Sequence, residues 1–109
     1  MIKMQIKMDE DKILREKKYS PEKIYAAIDQ FMIDKLHLAK FEDGFYLGNG
    51  NGKDFSYFGL AFNTLRKKPW FVDNVKTWLY FNSDASDDPD DFVVEDFRAF
   101  CLDRIHAPA

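Results

Sequence analysis

The last third of the chain, from Pro69 to Ile105, constrains the fold more than any other segment. Two proline-headed patterns stand there on either side of a strongly acidic connection. In the first pattern, large apolar residues recur at spacings typical of one helix face, and they are Phe71, Val75, Trp78 and Leu79. The second pattern runs from Phe92 to Leu102. The sequence therefore predicts two helices that bury aromatic side chains, joined by a hinge of carboxylates.

Three short segments predict a small antiparallel sheet. Apolar residues alternate with Lys and Gln across residues 2–8, which is the pattern of a half-buried strand. Apolar runs at 38–41 and 45–48 flank an Asp-Gly pair, which is typical of a hairpin because Gly accepts the positive φ that the turn requires. Residues 9–19 are charged and poorly periodic, and they receive no assignment beyond one turn or a short strand.

Two further segments predict helices. Ser20 and Pro21 form a helix start, with a hydroxyl at the N-cap and proline at the first helical position. An apolar stripe continues this helix to about residue 36. Residues 54–68 fit either a strand or a helix with Asp54 as its N-cap. The longer apolar stripe and the basic residues at its end favour the helix.

These elements predict a single α+β domain over residues 1–109. A small antiparallel sheet of about three strands packs with three to four helices in this prediction. A chain of 109 residues has room for one domain and one core. The predicted core consists of Met4, Ile6, Ile24, Ile28, Phe31, Phe58, Phe62, Phe71, Val75, Trp78, Phe97 and Phe100.

Charge and composition limit the classes of partner and compartment. A net charge of −3 and a pI near 5.3 argue against an electrostatic grip on nucleic acid. Lysines concentrate in residues 12–23, whereas aspartates concentrate in 84–96. Cys101 is the single cysteine, which excludes an intrachain disulfide, and its apolar neighbours predict burial. Without a signal-peptide pattern or a membrane-spanning apolar run, we expect a cytoplasmic protein with no membrane contact.

The acidic hinge invites comparison with a calcium loop. Five residues match ligand positions of an EF-hand register, and they are Asp84, Ser86, Asp88, Asp90 and Glu95. The sixth position, however, requires a glycine with positive φ, and Pro89 stands there and cannot adopt that angle. Capping of the following helix by Asp88, Asp90 and Asp91 explains the carboxylates better. We therefore expect no metal site and no cofactor.

Catalytic motifs find little support in the sequence. The glycine-rich segment Gly48–Lys53 lacks the spacing of a phosphate-binding loop, and Asp54 follows where a hydroxyl residue is needed. A flexible connection is the better interpretation. His106 is five residues from Cys101, a poor spacing for facing groups on a helix, and His37 is remote in sequence. The sequence therefore predicts a protein that is not an enzyme.

Two segments are candidate binding sites. The first is the acidic hinge, which could steer the protein toward a basic partner through Asp84, Asp87, Asp88, Asp90 and Asp91. The second is a basic run next to an aromatic residue, the combination that single-strand nucleic-acid binders use, and it consists of Arg66, Lys67, Lys68 and Trp70. The aromatic content of 17% also exceeds what a core of this size hides, which indicates an exposed apolar patch.

Two stretches of sequence also carry a family resemblance. One opens with Ile-Lys-Met-Asp followed by Tyr-x-x-Glu-Lys, and the other, from Trp70, reads WFxDNVxxWLxxNSDxSDDPxDFxxED. The chain thereby resembles small, uncharacterised acidic proteins of bacterial conjugative and transposon clusters. The resemblance implies a bacterial cytoplasmic accessory protein. It carries over no catalytic residue, because that family has no assigned activity.

The predicted function is therefore that of a non-enzymatic accessory protein. It binds a protein partner, or a second copy of itself, through an acidic and aromatic surface. The alternative is a nucleic-acid-binding accessory protein of a mobile element that uses the basic-aromatic run 66–70. The overall negative charge places nucleic acid second as a partner.

Overall fold

A computed structural model of the protein describes residues 2–50, 52–82 and 93–106, with the backbone alone for residues 43 and 102–106. The described strands are β1 (Ile2–Met8), β2 (Ala39–Phe41), β3 (Phe45–Leu47), β4 (Val75–Asn82) and β5 (Val93–Asp96). The described α-helices are α1 (Glu10–Glu16), α2 (Pro21–Asp29), α3 (Asp54–Leu65), α4 (Pro69–Val72) and α5 (Phe97–His106). A π-helical segment, Gln30–Lys35, continues α2, and a 3₁₀ turn, Glu42–Gly44, joins β2 to β3. The predicted α+β class is confirmed.

The five described strands form one antiparallel sheet in the order β2-β3-β1-β4-β5. In the central strand β1, Met4 is opposite Tyr46 on β3 and Tyr80 on β4. All three of these side chains are buried, whereas Lys3 and Gln5 belong to the opposite, partly exposed face. The alternation in the sequence of β1 therefore does decide which face of the sheet enters the core.

The helices cover the buried face of the sheet, and Trp78 of β4 lies at the centre of the core. Its ring packs edge-on against Phe71 at a centroid distance of 4.8 Å, and Phe62 lies 5.4 Å away. Its indole Nε1 donates to the sulfur of Met4 at 3.2 Å. The predicted core residues found buried are Met4, Ile6, Ile24, Ile28, Phe58, Phe71, Val75 and Trp78. Phe31, Phe62 and Phe97 pack on this core while partly exposed.

The predicted helix over residues 71–79 is wrong. The structure has the short helix α4, begun by Pro69, followed by the eight-residue strand β4. Phe71, Val75 and Trp78 are all buried as predicted, but Leu79 lies on the opposite face of the sheet from Trp78. The spacing misled because a helical turn followed by a strand can point the same residues at one core. β-Branched and aromatic residues in β4 favour the strand.

The predicted helix over residues 92–102 is correct only in its second half. Residues 93–96 form β5, which pairs antiparallel with β4, and α5 begins at Phe97. The pair Val93 and Val94 favours a strand because β-branched side chains lose rotamer freedom in a helix. With β4 and β5, the sheet has two strands more than predicted. The acidic hinge at residues 84–91 lies within residues 83–92, which are outside the described residues.

The other predicted elements are confirmed with small changes at their ends. The hairpin turns at Gly44, whose φ is +79°. Residues 9–19, left without assignment, contain α1, whose start is capped by the Asp9 carboxylate that accepts from the Lys12 amide. Ser20 is the N-cap of α2, but its hydroxyl makes no capping hydrogen bond. The predicted N-cap of α3 is wrong, because Lys53 takes that position and Asp54 is the first helical residue.

Length and hydropathy of the helices bear on membrane insertion. None of the helices in the described part of the chain combines the length and the hydropathy that a bilayer-spanning segment requires. The compartment of the protein stays a prediction.

Candidate functional site

An aromatic groove lies where α3 and α5 meet the β4–β5 edge of the sheet. Its volume is about 670 Å³. Six aromatic side chains line it, and they are Phe55, Phe58, Phe62, Tyr80, Phe97 and Phe100. We call this feature the aromatic groove. Its position at the edge strand β5 places backbone groups of that strand beside an apolar surface.

A network of ring contacts forms the floor of the aromatic groove. Phe97 stacks on Tyr80 with the ring planes 11° apart and the centroids 5.3 Å apart. Phe62 lies 4.5 Å from Phe97 and 5.6 Å from Phe100. Aromatic pairs at such distances contribute about 0.5–1.5 kcal/mol beyond the area that they bury. The floor is therefore held in place by contacts to the core rather than formed only on binding.

The rim of the aromatic groove exposes two large apolar side chains to solvent. Phe55, on the first turn of α3, is 68% exposed, and Phe100, on α5, is 44% exposed. The prediction that Phe100 belongs to the core is therefore wrong. Burial of Cys101 was also predicted, and this side chain is only partly buried against the core. Both errors follow from β5, a strand that was not predicted, because it makes α5 begin five residues later than the predicted helix.

Carboxylates occur on the β5 side of the aromatic groove. Glu95 and Asp96 are both among its lining residues. Asp96 also accepts a hydrogen bond from the Ala99 amide at 3.0 Å, which caps the start of α5. The predicted acidic site residues Asp84, Asp87, Asp88, Asp90 and Asp91 lie outside the described residues. In sequence they connect Asn82 to Val93, and both of these residues line the groove.

The predicted basic-aromatic run 66–70 does not form one surface. Arg66, Lys67 and Lys68 are all exposed in the turn between α3 and α4. The Arg66 guanidinium is directed back onto α3, where its Nε donates to Asn63 at 3.2 Å and its Cζ lies 5.9 Å from the Phe62 ring. Trp70 follows this turn, on α4, and lines a different surface of the protein.

That second surface is a cleft between the α1–α2 turn and Trp70. Its volume is about 410 Å³. Lys17, Lys18 and Lys23 line it together with Tyr19 and Trp70. We call it the lysine cleft. The sequence signals for it were the concentration of lysines in residues 12–23 and the tryptophan of the basic-aromatic run. Their proximity could not be predicted, because some fifty residues separate them.

The glycine-rich connection before α3 is organised by a buried carboxylate. Asp54, only 4% exposed, accepts hydrogen bonds from the amides of Asn49 at 2.9 Å and Gly50 at 2.8 Å. Phosphate-binding loops present such amides to the phosphate oxygens. Here the Asp54 carboxylate occupies the amides of Asn49 and Gly50, so these two donors are already used at the start of α3.

The two histidines of the chain lie outside the two clefts or outside the described side chains. His37 is exposed, with a left-handed φ of 56°, and the side chain of His106 is not described. Among the described residues, no group of three or more His, Cys, Asp or Glu side chains could hold a metal ion. The aromatic groove presents an apolar surface with carboxylates, and the lysine cleft presents lysines with aromatic rings.

No protein-family model matches the chain, and neither does any curated protein or any solved structure. The resemblance to proteins of bacterial conjugative and transposon clusters therefore stays a prediction.

Proposed function

We propose that the protein is a non-enzymatic accessory protein whose aromatic groove binds an apolar segment of a basic protein partner. The observation that carries the proposal is the exposure of Phe55 and Phe100 on the rim of a concave surface floored by aromatic rings. Phe, Tyr and Trp are enriched at the centres of protein interfaces, where a few such residues supply most of the binding energy.

The charge around the groove supports a basic partner. Glu95 and Asp96 line the groove, and the sequence between Asn82 and Val93 adds seven residues that are Asp or Ser at 83, 84, 86, 87, 88, 90 and 91. A partner with Lys or Arg flanking its apolar residues would be steered toward such a surface and held in register. The association would therefore weaken as salt is raised.

The shape of the site supports a segment rather than a flat surface as the ligand. β5 is an edge strand of the sheet that the described residues form, and Val93 and Glu95 from it line the groove. An extended peptide can pair with an edge strand through its backbone while alternate side chains enter an adjacent pocket. Phe55 and Phe100 on the two facing helices would then contact those side chains.

Site-specific photo-crosslinking in cells that express the protein tests the proposal. A benzophenone amino acid replaces Phe55 in one variant and Leu60 in the control variant. Both residues lie on α3 and both are exposed, Leu60 by 50%, but only Phe55 lines the groove. We expect position 55 to capture one discrete basic protein and position 60 to capture none. Reversing the charges of Asp87, Asp88, Asp90 and Asp91 should reduce the capture.

Three outcomes contradict the proposal. Equal capture at positions 55 and 60 would show that the groove has no special role. A crosslink from position 55 to residues 83–92 of the same chain would assign the groove to an internal segment. A crosslinked product of twice the mass, formed by the purified protein alone, would assign it to self-association instead.

A further inference from the structure

We propose that the lysine cleft binds single-stranded nucleic acid, with bases stacked on Tyr19 and Trp70 and phosphates held by Lys17, Lys18 and Lys23. This surface shares no lining residue with the aromatic groove. The inference is therefore independent of the proposed protein partner. It also departs from the basic-aromatic run 66–70, since the structure associates Trp70 with lysines from another part of the chain.

The local charge of the cleft differs in sign from the charge of the whole protein. Three lysines are among its lining residues, and none of the described lining residues is a carboxylate. In the described part of the chain, none of these three lysines forms an ion pair, whereas Lys12 pairs with Glu16 and Lys40 with Asp29. An ammonium group without an anionic partner among the described residues is available to a phosphate of the nucleic-acid backbone.

The aromatic side chains of the cleft are placed for stacking. Tyr19 is 46% exposed in the turn between α1 and α2. Trp70 is partly buried, and its ring packs edge-on against Phe71 with the centroids 6.2 Å apart. Its carbonyl also accepts a hydrogen bond from the Asn74 amide group at 3.0 Å. Trp70 is thus a fixed wall and Tyr19 a solvent-facing one, the combination on which unpaired bases stack in single-strand binders.

The charges of α2 favour a single strand over a duplex. α1 and α2 are joined by the four-residue turn 17–20, with Lys17 in the left-handed region at a φ of 58°. Helix-turn-helix pairs of this kind read duplex DNA by placing the exposed face of the second helix in the major groove. Here Glu22 on α2 and Asp34 on its π-helical continuation are both exposed. In a major groove these carboxylates would approach the phosphates of both strands and be repelled by them.

Fluorescence titration of the full-length protein tests the inference. The ligand is a labelled 20-nucleotide oligo(dT) at low salt, with a duplex of the same length and the free mononucleotide as separate arms. The chain has two tryptophans, and Trp78 is fully buried. Stacking should therefore quench the emission of Trp70, and the quenching should be absent in Trp70→Phe. We expect a Kd for the single strand on the order of micromolar. The Kd values for the duplex and the mononucleotide should be higher.

Variants separate the lysines from the aromatic rings. Replacing Lys17, Lys18 and Lys23 with Ala should weaken binding at least tenfold and lower the salt-dependence slope by about 2, because each phosphate contact on a single strand contributes roughly 0.7. Tyr19→Ala should weaken binding about tenfold while leaving that slope unchanged. Lys35→Ala, which removes an exposed lysine outside the cleft, is the matched control and should bind as the wild type does.

Three results would overturn the inference. The first is no binding of the oligonucleotide at low salt. The second is a Lys35→Ala variant whose affinity falls as much as that of Lys23→Ala alone, which would indicate a diffuse electrostatic contact. The third is a preference for the duplex that Tyr19→Ala does not affect. Phe55→Ser, placed in the aromatic groove, should leave the titration unchanged, so a failure of one proposal is distinguishable from a failure of the other.

Discussion

The phenol of Tyr46 donates a hydrogen bond of 2.5 Å to the carboxylate of Asp29, and this contact ties β3 to α2. The same carboxylate accepts from Lys40 Nζ at 2.8 Å. Burial raises the pKa of Tyr46 well above its usual range, and the hydrogen bond to the Asp29 carboxylate raises that pKa further. The neutral phenol is therefore favoured by folding, and the anionic phenolate is not.

Tyr46→Phe should destabilise the protein by about 1–2 kcal/mol at pH 7, because it removes a hydrogen bond to a charged acceptor. Since the pKa of Tyr46 is raised in the folded state, the wild type holds this stability in full below the unfolded pKa of about 10. It loses that stability as the pH rises further. Urea unfolding at pH 7 and at pH 11 should therefore show a smaller difference between the two proteins at pH 11.

Tyr19→Phe is the matched control for the loss of a tyrosine hydroxyl. Tyr19 is 46% exposed, so its phenol is solvated in both states. Its replacement should change the free energy of unfolding by less than about 0.5 kcal/mol at either pH. A Tyr46→Phe variant as stable as wild type at pH 7, or equally destabilised at both pH values, would contradict the assigned role of the contact.

Gly44→Ala should be strongly destabilising. Gly44 ends the turn between β2 and β3 with a φ of +79°, and a Cβ there would overlap the backbone carbonyl oxygen of Ile6. The left-handed conformation alone costs a residue with a side chain roughly 1–3 kcal/mol. The overlap adds to that cost because backbone atoms of β1 cannot move aside without disturbing the sheet. Thermal unfolding followed by circular dichroism measures the loss.

Gly59→Ala is the opposite case and serves as the comparison. Gly59 lies in the middle of α3, and a Cβ at this position would meet no atom within 4 Å. Because alanine is the better helix former by about 1 kcal/mol, this substitution should stabilise the protein. If Gly44→Ala and Gly59→Ala shifted the melting temperature in the same direction, the turn geometry at Gly44 would be in doubt.

Local signals explain which elements could be predicted from the sequence. The alternation in β1, the Asp-Gly turn and the proline start of α2 each act within a few residues of the structure that they specify. The same is true of α3, where the apolar stripe of the helix outweighed the single glycine. These elements could be predicted from the sequence because no distant contact was needed to determine them.

The errors arose where distant residues decide the structure. β4 is a strand because it pairs along its whole length with β1, more than sixty residues earlier in the chain. β5 in turn depends on β4, and it fixes where α5 begins. The two clefts depend on the same long-range packing, since Phe55 and Phe100 line one groove and Tyr19 and Trp70 line the other cleft.

Asp54→Ala should destabilise the start of α3. The buried carboxylate accepts from two backbone amides, those of Asn49 and Gly50, and its loss leaves both donors without that acceptor. Asn49 and Gly50 are exposed, so the cost is that of losing hydrogen bonds to a charged acceptor, about 1.5–3 kcal/mol. We expect urea unfolding to show a loss in this range, together with faster hydrogen exchange at the two amides. Asp34→Ala, at an exposed carboxylate, should change stability by less than about 0.5 kcal/mol.

Trp78→Ala should remove the largest single contribution to the core. The side chain is fully buried, packs against Phe71 and Phe97 at 4.8 and 5.5 Å, and donates to the sulfur of Met4. Truncation of a buried tryptophan costs about 3–5 kcal/mol, a large part of the 5–15 kcal/mol of a typical domain. Trp78→Phe keeps a ring in the cavity and should cost clearly less. Urea unfolding followed by circular dichroism measures both variants. Equal urea midpoints for the two would mean that Trp78 is not the centre of this core.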